Sequence, residues 1–498
     1  MSGERSMAAQ LREVVKETTS QKKRVAMQKR QLQMKIVAEK KDDSSPADRQ
    51  LHYSYSRPLF AAATQDLPRL IDGAPSHLSP EAASAFLKQN ESTLLMHYLD
   101  TVFPLQFHFY EPSLEERGRG WLLFLLLQTK PLYHAACSLA AYHRQDLYCL
   151  RAGMPKPCFG LEALNLQYDL AIKELRNYTE ELLSSERERT LTENVQLLCS
   201  IALFVSIEAC ISTTDTWKAH LEAAVALFPD LQKQLCVAQS DAVLLPAFQA
   251  ALAFFAGVVS WYDIVSCSTM DLRPFKFEVP LLGNDTIHFG NVVGCEDCTV
   301  FAIRDIVELD YRKNNPTSIE QLSVYELVRR GNDIEARLMK TFEEVSAIDQ
   351  LEAEAKSSWN ISFARHSHNL KRSRVTRVYG SAALVYLHVV LSGADPNLPT
   401  IQENVTRTIE AFKALPDPVL VNSLAWPFCI AGCMAQEQDH AFFRDMTRFG
   451  EPADSIFGVG KAWSIVQECW RLRKVDPNCA PVDWKIAMKN LGQSILLV

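Results

Sequence analysis

The sequence predicts an all-α fold, a large multi-helix body preceded by a basic helical arm. Three observations carry this. Apolar residues recur at helical spacing along most of the chain after residue 91. Period-two alternation is confined to PFKFEVPLL (274–282) with TIHFG (286–290) nearby, which reads as a short extended insertion. Three stretches (243–262, 378–394 and 419–436) carry no charge, and a helix apolar on every side must be buried.

The elements follow in order. Residues 1–41 hold eleven Lys/Arg against four Glu, a net charge of +7. No proline interrupts them before Pro46, so residues 1–45 read as a basic helical arm. Leu11, Thr18, Val25 and Leu32 repeat every seven residues, but the second seam is Val15, Lys22, Lys29 and Ile36. A coiled coil needs apolar residues on both seams, so the arm is amphipathic rather than a zipper. Residues 46–90, which begin inside DDSSPADRQ (42–50), hold five prolines and form a linker, with a helix start at Ser79 and Pro80 near its end.

Residues 91–498 are the helical body. In TWKAHLEAAVALFP (216–229), Trp217, Leu221, Ala224, Val225 and Phe228 share one helical face, and Pro229 closes the helix. Residues 379–392 form a buried helix ended by Gly393 and the ADPN turn. The uncharged 243–262 stretch is long enough to span a bilayer. Its Pro246, Gln249, Ser260 and alanines favour a core helix.

Composition narrows the function classes. The 498 residues are 47% hydrophobic and 22% charged, as in ordinary globular proteins. Net charge is −7, which argues against bulk attraction to nucleic acid and leaves only local basic patches. Two such patches stand out. One is Lys22, Lys23, Arg24, Lys29 and Arg30 in the arm, a candidate for nuclear import or DNA contact. The other is Arg365, Lys371, Arg372, Arg374 and Arg377. The thirteen cysteines are scattered and odd in number, and no secretory leader is visible, so buried free thiols in a reducing compartment are expected.

Catalytic and metal motifs fail on inspection. The first cysteine is Cys137, and CEDC (295–298) has no second ligand pair near it. There is no G-x-S-x-G or H-E-x-x-H. FGVGKAW (457–463) lacks the glycine and hydroxyl of a phosphate loop, because Ser455 and Ala462 stand there. It reads as a turn before a helix carrying Trp463 and Trp470. His388 in its apolar helix reads as a core histidine.

Several aromatic-rich segments occur in a fixed order: LLMHYLDTVFPLQFHFY (94–110), RGWLLFLLLQTKPLYHAACSLAAYHR (119–144), TWKAHLEAAVALFP (216–229), WYDIVSCST (261–269) and CEDCTVFAIRDIVEL (295–309). YGSAALVYLHVVLSG (379–393), LAWPFCIAGCMA (424–435), FGVGKAWSIVQECWR (457–471) and VDWKIAMKNLG (482–492) complete the series. Together they resemble the helical regulatory region of fungal transcription factors of the binuclear zinc cluster family. That resemblance implies a nuclear, non-enzymatic regulator of a metabolic or secondary-metabolite pathway.

The implied partners are transcriptional coregulators or a DNA-binding partner, with weak or indirect DNA contact, no membrane, and a homodimer as one assembly. A small-molecule effector is also implied, with Tyr386, Trp426, Phe428 and Cys429 as its candidate pocket. Family members place a six-cysteine cluster near the N-terminus, and a cysteine-free basic arm stands there instead. No cofactor is therefore expected, and zinc would enter only with a cluster encoded upstream. The alternative expectation is a helical scaffold or small-molecule-binding protein derived from that family.

Overall fold

The computed structural model describes residues 90–498 except 112–117, 152–160, 185–186, 212–214, 239–243, 271, 273, 275–287, 315–322, 356–362, 450–458 and 476–480. The basic arm, the linker, the Ser79 helix start and most of the 274–282 insertion lie outside the described residues. No strand occurs among those described.

An opening helical segment, residues 90–106, widens into a π-helix at Tyr98–Val102. It packs on α2 (Lys130–Arg151), which follows α1 (Gly120–Gln128). Next come α3 (Leu161–Ser184), α4 (Leu191–Ile211), α5 (Thr216–Val225), α6 (Phe228–Ala238) and α7 (Pro246–Thr269). The second half comprises α8 (Asp297–Asn314), α9 (Val324–Ala355), α10 (Phe363–Ser392), α11 (Pro399–Lys413), α12 (Ala425–Met434), α13 (His440–Phe449), α14 (Val459–Val475) and α15 (Trp484–Leu491). Sequential helices pack as antiparallel-type neighbours, α2 on α3, α9 on α10 and α10 on α11. Helix α7 is shared: it touches α1, α4 and α5 on one side and α8 on the other.

The apolar helices are the core. Windows in Leu191–Cys210, Pro246–Thr269 and Asn369–Ser392 are long and apolar enough to cross a membrane, yet 83%, 89% and 78% of them is buried inside the protein. Their apolar surface is thus satisfied by neighbouring helices.

Helix ends are set by local chemistry. Thr190 and Glu193 form a reciprocal capping box at the start of α4, Glu193 N donating to Thr190 Oγ1 (3.3 Å) and Thr190 N to Glu193 Oε2 (2.8 Å). Pro246 and Pro399 open α7 and α11, where a missing N–H costs nothing. Gly393 (φ 94°) follows α10, as its sequence predicts. Pro229 does not close a helix. Helix α5 already ends at Val225, and Pro229 lies in the first turn of α6, where proline's fixed φ suits a helix start.

Long cations close other ends. Lys461 donates to the carbonyls of Ala209 and Cys210 at the end of α4. Lys313 reaches Val390 O on α10, and Arg473 reaches Cys433 O on α12. Each satisfies orphan carbonyls and complements the negative end of the helix dipole.

Candidate functional site

The expected effector residues lie at the centre of the second half. Tyr386 of α10 and Trp426 of α12 meet edge to face at 6.3 Å, and Tyr379 stacks on Trp426 at 6.1 Å. Phe428 points to a different neighbourhood, against Phe443 and Trp463. Cys429 Sγ lies 4.0 Å from Cys433 Sγ. All four are at most 1% exposed. Their side chains fill the interior, so a molecule entering there must open the packing between α10 and α12.

The indole N–H groups hold this region together. Trp426 Nε1 donates to Ser268 Oγ (2.8 Å) and Trp484 Nε1 to Ser268 O (2.9 Å). Ser268 closes α7, so one residue receives indoles from α12 and α15. Trp470 Nε1 reaches Gly432 O, and Trp217 Nε1 reaches Ser494 O, both at 2.9 Å. A buried indole needs such an acceptor.

A charged group sits beside the aromatic cluster. Asp310 of α8 is buried and accepts from Tyr386 Oη (2.8 Å), Asn314 Nδ2 (2.8 Å) and Lys485 Nζ (2.7 Å). Burial, then the Asp310 charge, pushes the Tyr386 phenol well above its ordinary range. Tyr386 is therefore a fixed neutral donor. Sequence reasoning passed over Asp310 and Lys485. A signal was present, because Ile303, Ile306, Val307 and Asp310 fall at helical spacing on one face, and an acid on an apolar face needs a buried partner.

A second polar cluster ties α3, α4 and α5. Glu208 accepts from Tyr168 Oη and from Thr216 Oγ1. His220 stacks on Phe204 at 5.5 Å, and its buried Nε2 makes no hydrogen bond. Burial lowers the His220 pKa, opposed by Glu208.

The basic stretch near 371 is partly buried at Lys371, Arg372, Arg374 and Arg377. It belongs to α10, which begins at Phe363, well before the apolar run. Arg377 Nη2 donates to Ser346 Oγ (2.9 Å), and Lys371 Nζ donates to His108 O (3.2 Å) while lying over the Phe109 ring. The long stems cover apolar surface while the heads find acceptors. The other basic patch, Lys22, Lys23, Arg24, Lys29 and Arg30, lies outside the described residues.

Among the described residues the cysteines do not gather into a zinc site. Two zinc ions sharing thiolates need six converging sulfurs. Among the described residues no three His, Cys, Asp or Glu side chains converge. Cys295 is buried and Cys298 faces Thr341 Oγ1 at 3.4 Å. Burial pushes the Cys295, Cys433 and Cys469 thiols well above their ordinary range. His388 is nearly buried, its Nε2 3.6 Å from Glu335.

Residues 93–498 match the fungal specific transcription factor domain. The trichothecene biosynthesis transcription regulator TRI10 of Trichoderma arundinaceum is 28% identical over 444 residues, covering 82% of this chain and 98% of that protein. Transcription factor ntnD of a Nectria species is 27% identical, over 83% of this chain and 67% of its own. The ustiloxin B cluster transcription factor ustR of Aspergillus flavus is 27% identical, over 85% and 75%. No solved structure matches the chain.

Proposed function

Because the chain belongs to the fungal specific transcription factor domain family, we propose that it regulates transcription of a fungal secondary-metabolite gene cluster through its helical body. One observation carries this reading. The family match spans residues 93–498, and the alignment with the Trichoderma arundinaceum TRI10 regulator covers 82% of this chain and 98% of that protein. A body of this kind thus makes up nearly all of a named regulator. The ustiloxin and trichothecene regulators support the assignment to secondary metabolism.

The charge of the arm and the packing of the body support a finer reading. The protein acts in the nucleus, imported through Lys22, Lys23, Arg24, Lys29 and Arg30 of the arm. Its contacts are with coregulators, a DNA-binding partner or a second copy of itself, and DNA contact is indirect. It carries out no reaction and holds no cofactor of its own. An effector signal reaches the body through the Tyr386–Trp426 region, where α8, α10, α12 and α15 meet and a small shift would be shared by four helices.

Deleting the gene and sequencing the transcripts tests the role, with loss or gain of one contiguous cluster's messages as the expected result. Unchanged transcripts, with a tagged protein excluded from the nucleus, would overturn it. Replacing the five arm cations by Gln separates import from the rest. The tagged variant is expected to stay in the cytoplasm.

A further inference from the structure

We propose that Cys295 and Cys298 are a redox couple, in which a peroxide oxidises the exposed Cys298 thiol and Cys295 closes an intramolecular disulfide. The CEDC stretch that fails as a metal motif has the C-x-x-C spacing of disulfide oxidoreductases. It stands at the start of α8, with Cys295 two residues before the helix and Cys298 in its first turn.

The two thiols differ in access. Cys298 is exposed, and Cys295 is fully buried. An oxidant in solution therefore meets Cys298 first, while its neighbour is shielded. Burial, then the adjacent Cys298, pushes the Cys295 thiol well above its ordinary range, so the two sulfurs act on each other through space.

The backbone around the pair is held in place. Phe289 N donates to Asp297 Oδ1 (2.8 Å), and Glu296 N donates to Thr376 Oγ1 of α10 (3.0 Å). Gly294 has φ 75°, and a Cβ there would stand 2.3 Å from the Phe109 ring. Only glycine suits that left-handed, close-packed position just before Cys295.

An uncommitted donor stands beside Cys295. Thr299 Oγ1 is buried and has no hydrogen-bond partner, and its influence on Cys295 favours the thiolate. A hydroxyl so placed donates to the sulfur as negative charge grows on it. Cys298 Sγ rests 3.4 Å from Thr341 Oγ1 of α9. Rotation about χ1 turns it toward Cys295, and the oxidised pair then gives up this contact between α8 and α9.

The peroxide is the two-electron oxidant. The Cys298 thiolate attacks one peroxide oxygen, the O–O bond breaks, and hydroxide leaves and takes up the thiol's proton as water. Cys295 Sγ then attacks the sulfenic sulfur, the S–O bond breaks, and a second water leaves with the Cys295 proton. Two thiols and one peroxide give one disulfide and two waters. A dithiol reductant restores both thiols by exchange.

Peroxide treatment of the purified full chain, then alkylation and peptide mass spectrometry, tests this. Cys236, the other exposed thiol among the described residues, is the reference for access. The peptide carrying both cysteines is expected to lose two hydrogens, resist alkylation, and regain both thiols with dithiothreitol. Cys298→Ser should abolish the disulfide. Cys295→Ala keeps the buried place apolar and should leave Cys298 as sulfenic acid, trapped by dimedone.

Wild-type Cys298 that accumulates as sulfenic or sulfinic acid beside a reduced Cys295 overturns the proposal. So does Cys298 that stays reduced while Cys236 is oxidised, and so does a disulfide joining Cys298 to any other cysteine. The reaction is read on purified protein, so its failure is distinct from failure of the transcriptional role.

Discussion

Lys485→Met is the sharpest test of how the C-terminal helix is held. Methionine keeps the apolar stem and removes only the ammonium. The Lys485 and Asp310 side chains are 17% and 10% exposed, with Nζ 2.7 Å from Oδ2. Removing one partner of a buried pair strands the other and costs about 3–5 kcal/mol. Asp310 keeps the Tyr386 and Asn314 donors, and Lys485 retains a little water contact, so about 2–3 kcal/mol is expected. Urea unfolding followed by tryptophan fluorescence measures it, as a lower midpoint at unchanged m.

Amide exchange should rise in residues 481–498, because Trp484 and Lys485 anchor α15 to α7 and α8. The double variant Asp310→Asn/Lys485→Met should recover part of the loss, since asparagine still accepts from Tyr386 and strands no charge. A single variant within about 0.5 kcal/mol of wild type, the size of an ordinary surface substitution, would refute the reasoning. A double variant no better than the single would do the same.

Two further outcomes are expected. His97 Nε2 lies 2.9 Å from His143 Nδ1, and burial, then His143 and Arg144, lower its pKa from 6.5 to about 4. Between those values the unfolded chain binds a proton that the folded chain refuses. Stability is therefore full above pH 6.5 and falls as pH drops to 4, by about 1–2 kcal/mol after allowing for partial exposure. His97→Asn should flatten that slope in urea titrations at pH 7, 5 and 4, and an unchanged slope would count against it. Iodoacetamide on the native protein should modify the exposed Cys236 and Cys298, while buried Cys429, Cys433 and Cys469 react only after unfolding. Peptide mass spectrometry reads the result, and native labelling of Cys433 would contradict the packing.

Local periodicity made the helices readable, and the boundaries less so. The face of Trp217, Leu221 and Ala224 is buried as expected. The end at Pro229 was misplaced because proline suits a first turn as well as a stop. The start of α10 was set at residue 379, where the apolar run begins, whereas the helix starts at Phe363 ahead of the lysines and arginines. Their stems lie along apolar neighbours such as Phe109. Tyr386 and Trp426 were legible as aromatic residues in apolar runs, and they do meet. Asp310 reaches Lys485 and Trp217 reaches Ser494 across gaps in sequence that no local pattern spans. The π-helix at Tyr98–Val102 has no local signature either.

The indole contacts bear on how far this body can drift in sequence. Trp217, Trp470 and Trp484 each donate to a main-chain oxygen, of Ser494, Gly432 and Ser268. A main-chain acceptor survives replacement of its own side chain, so position 494 is free to vary without loosening Trp217. Trp426 differs, because its acceptor is the Ser268 hydroxyl. Ser268→Ala would strand that indole and leave Trp484 served. The same serine is thus replaceable for one tryptophan and indispensable to the other.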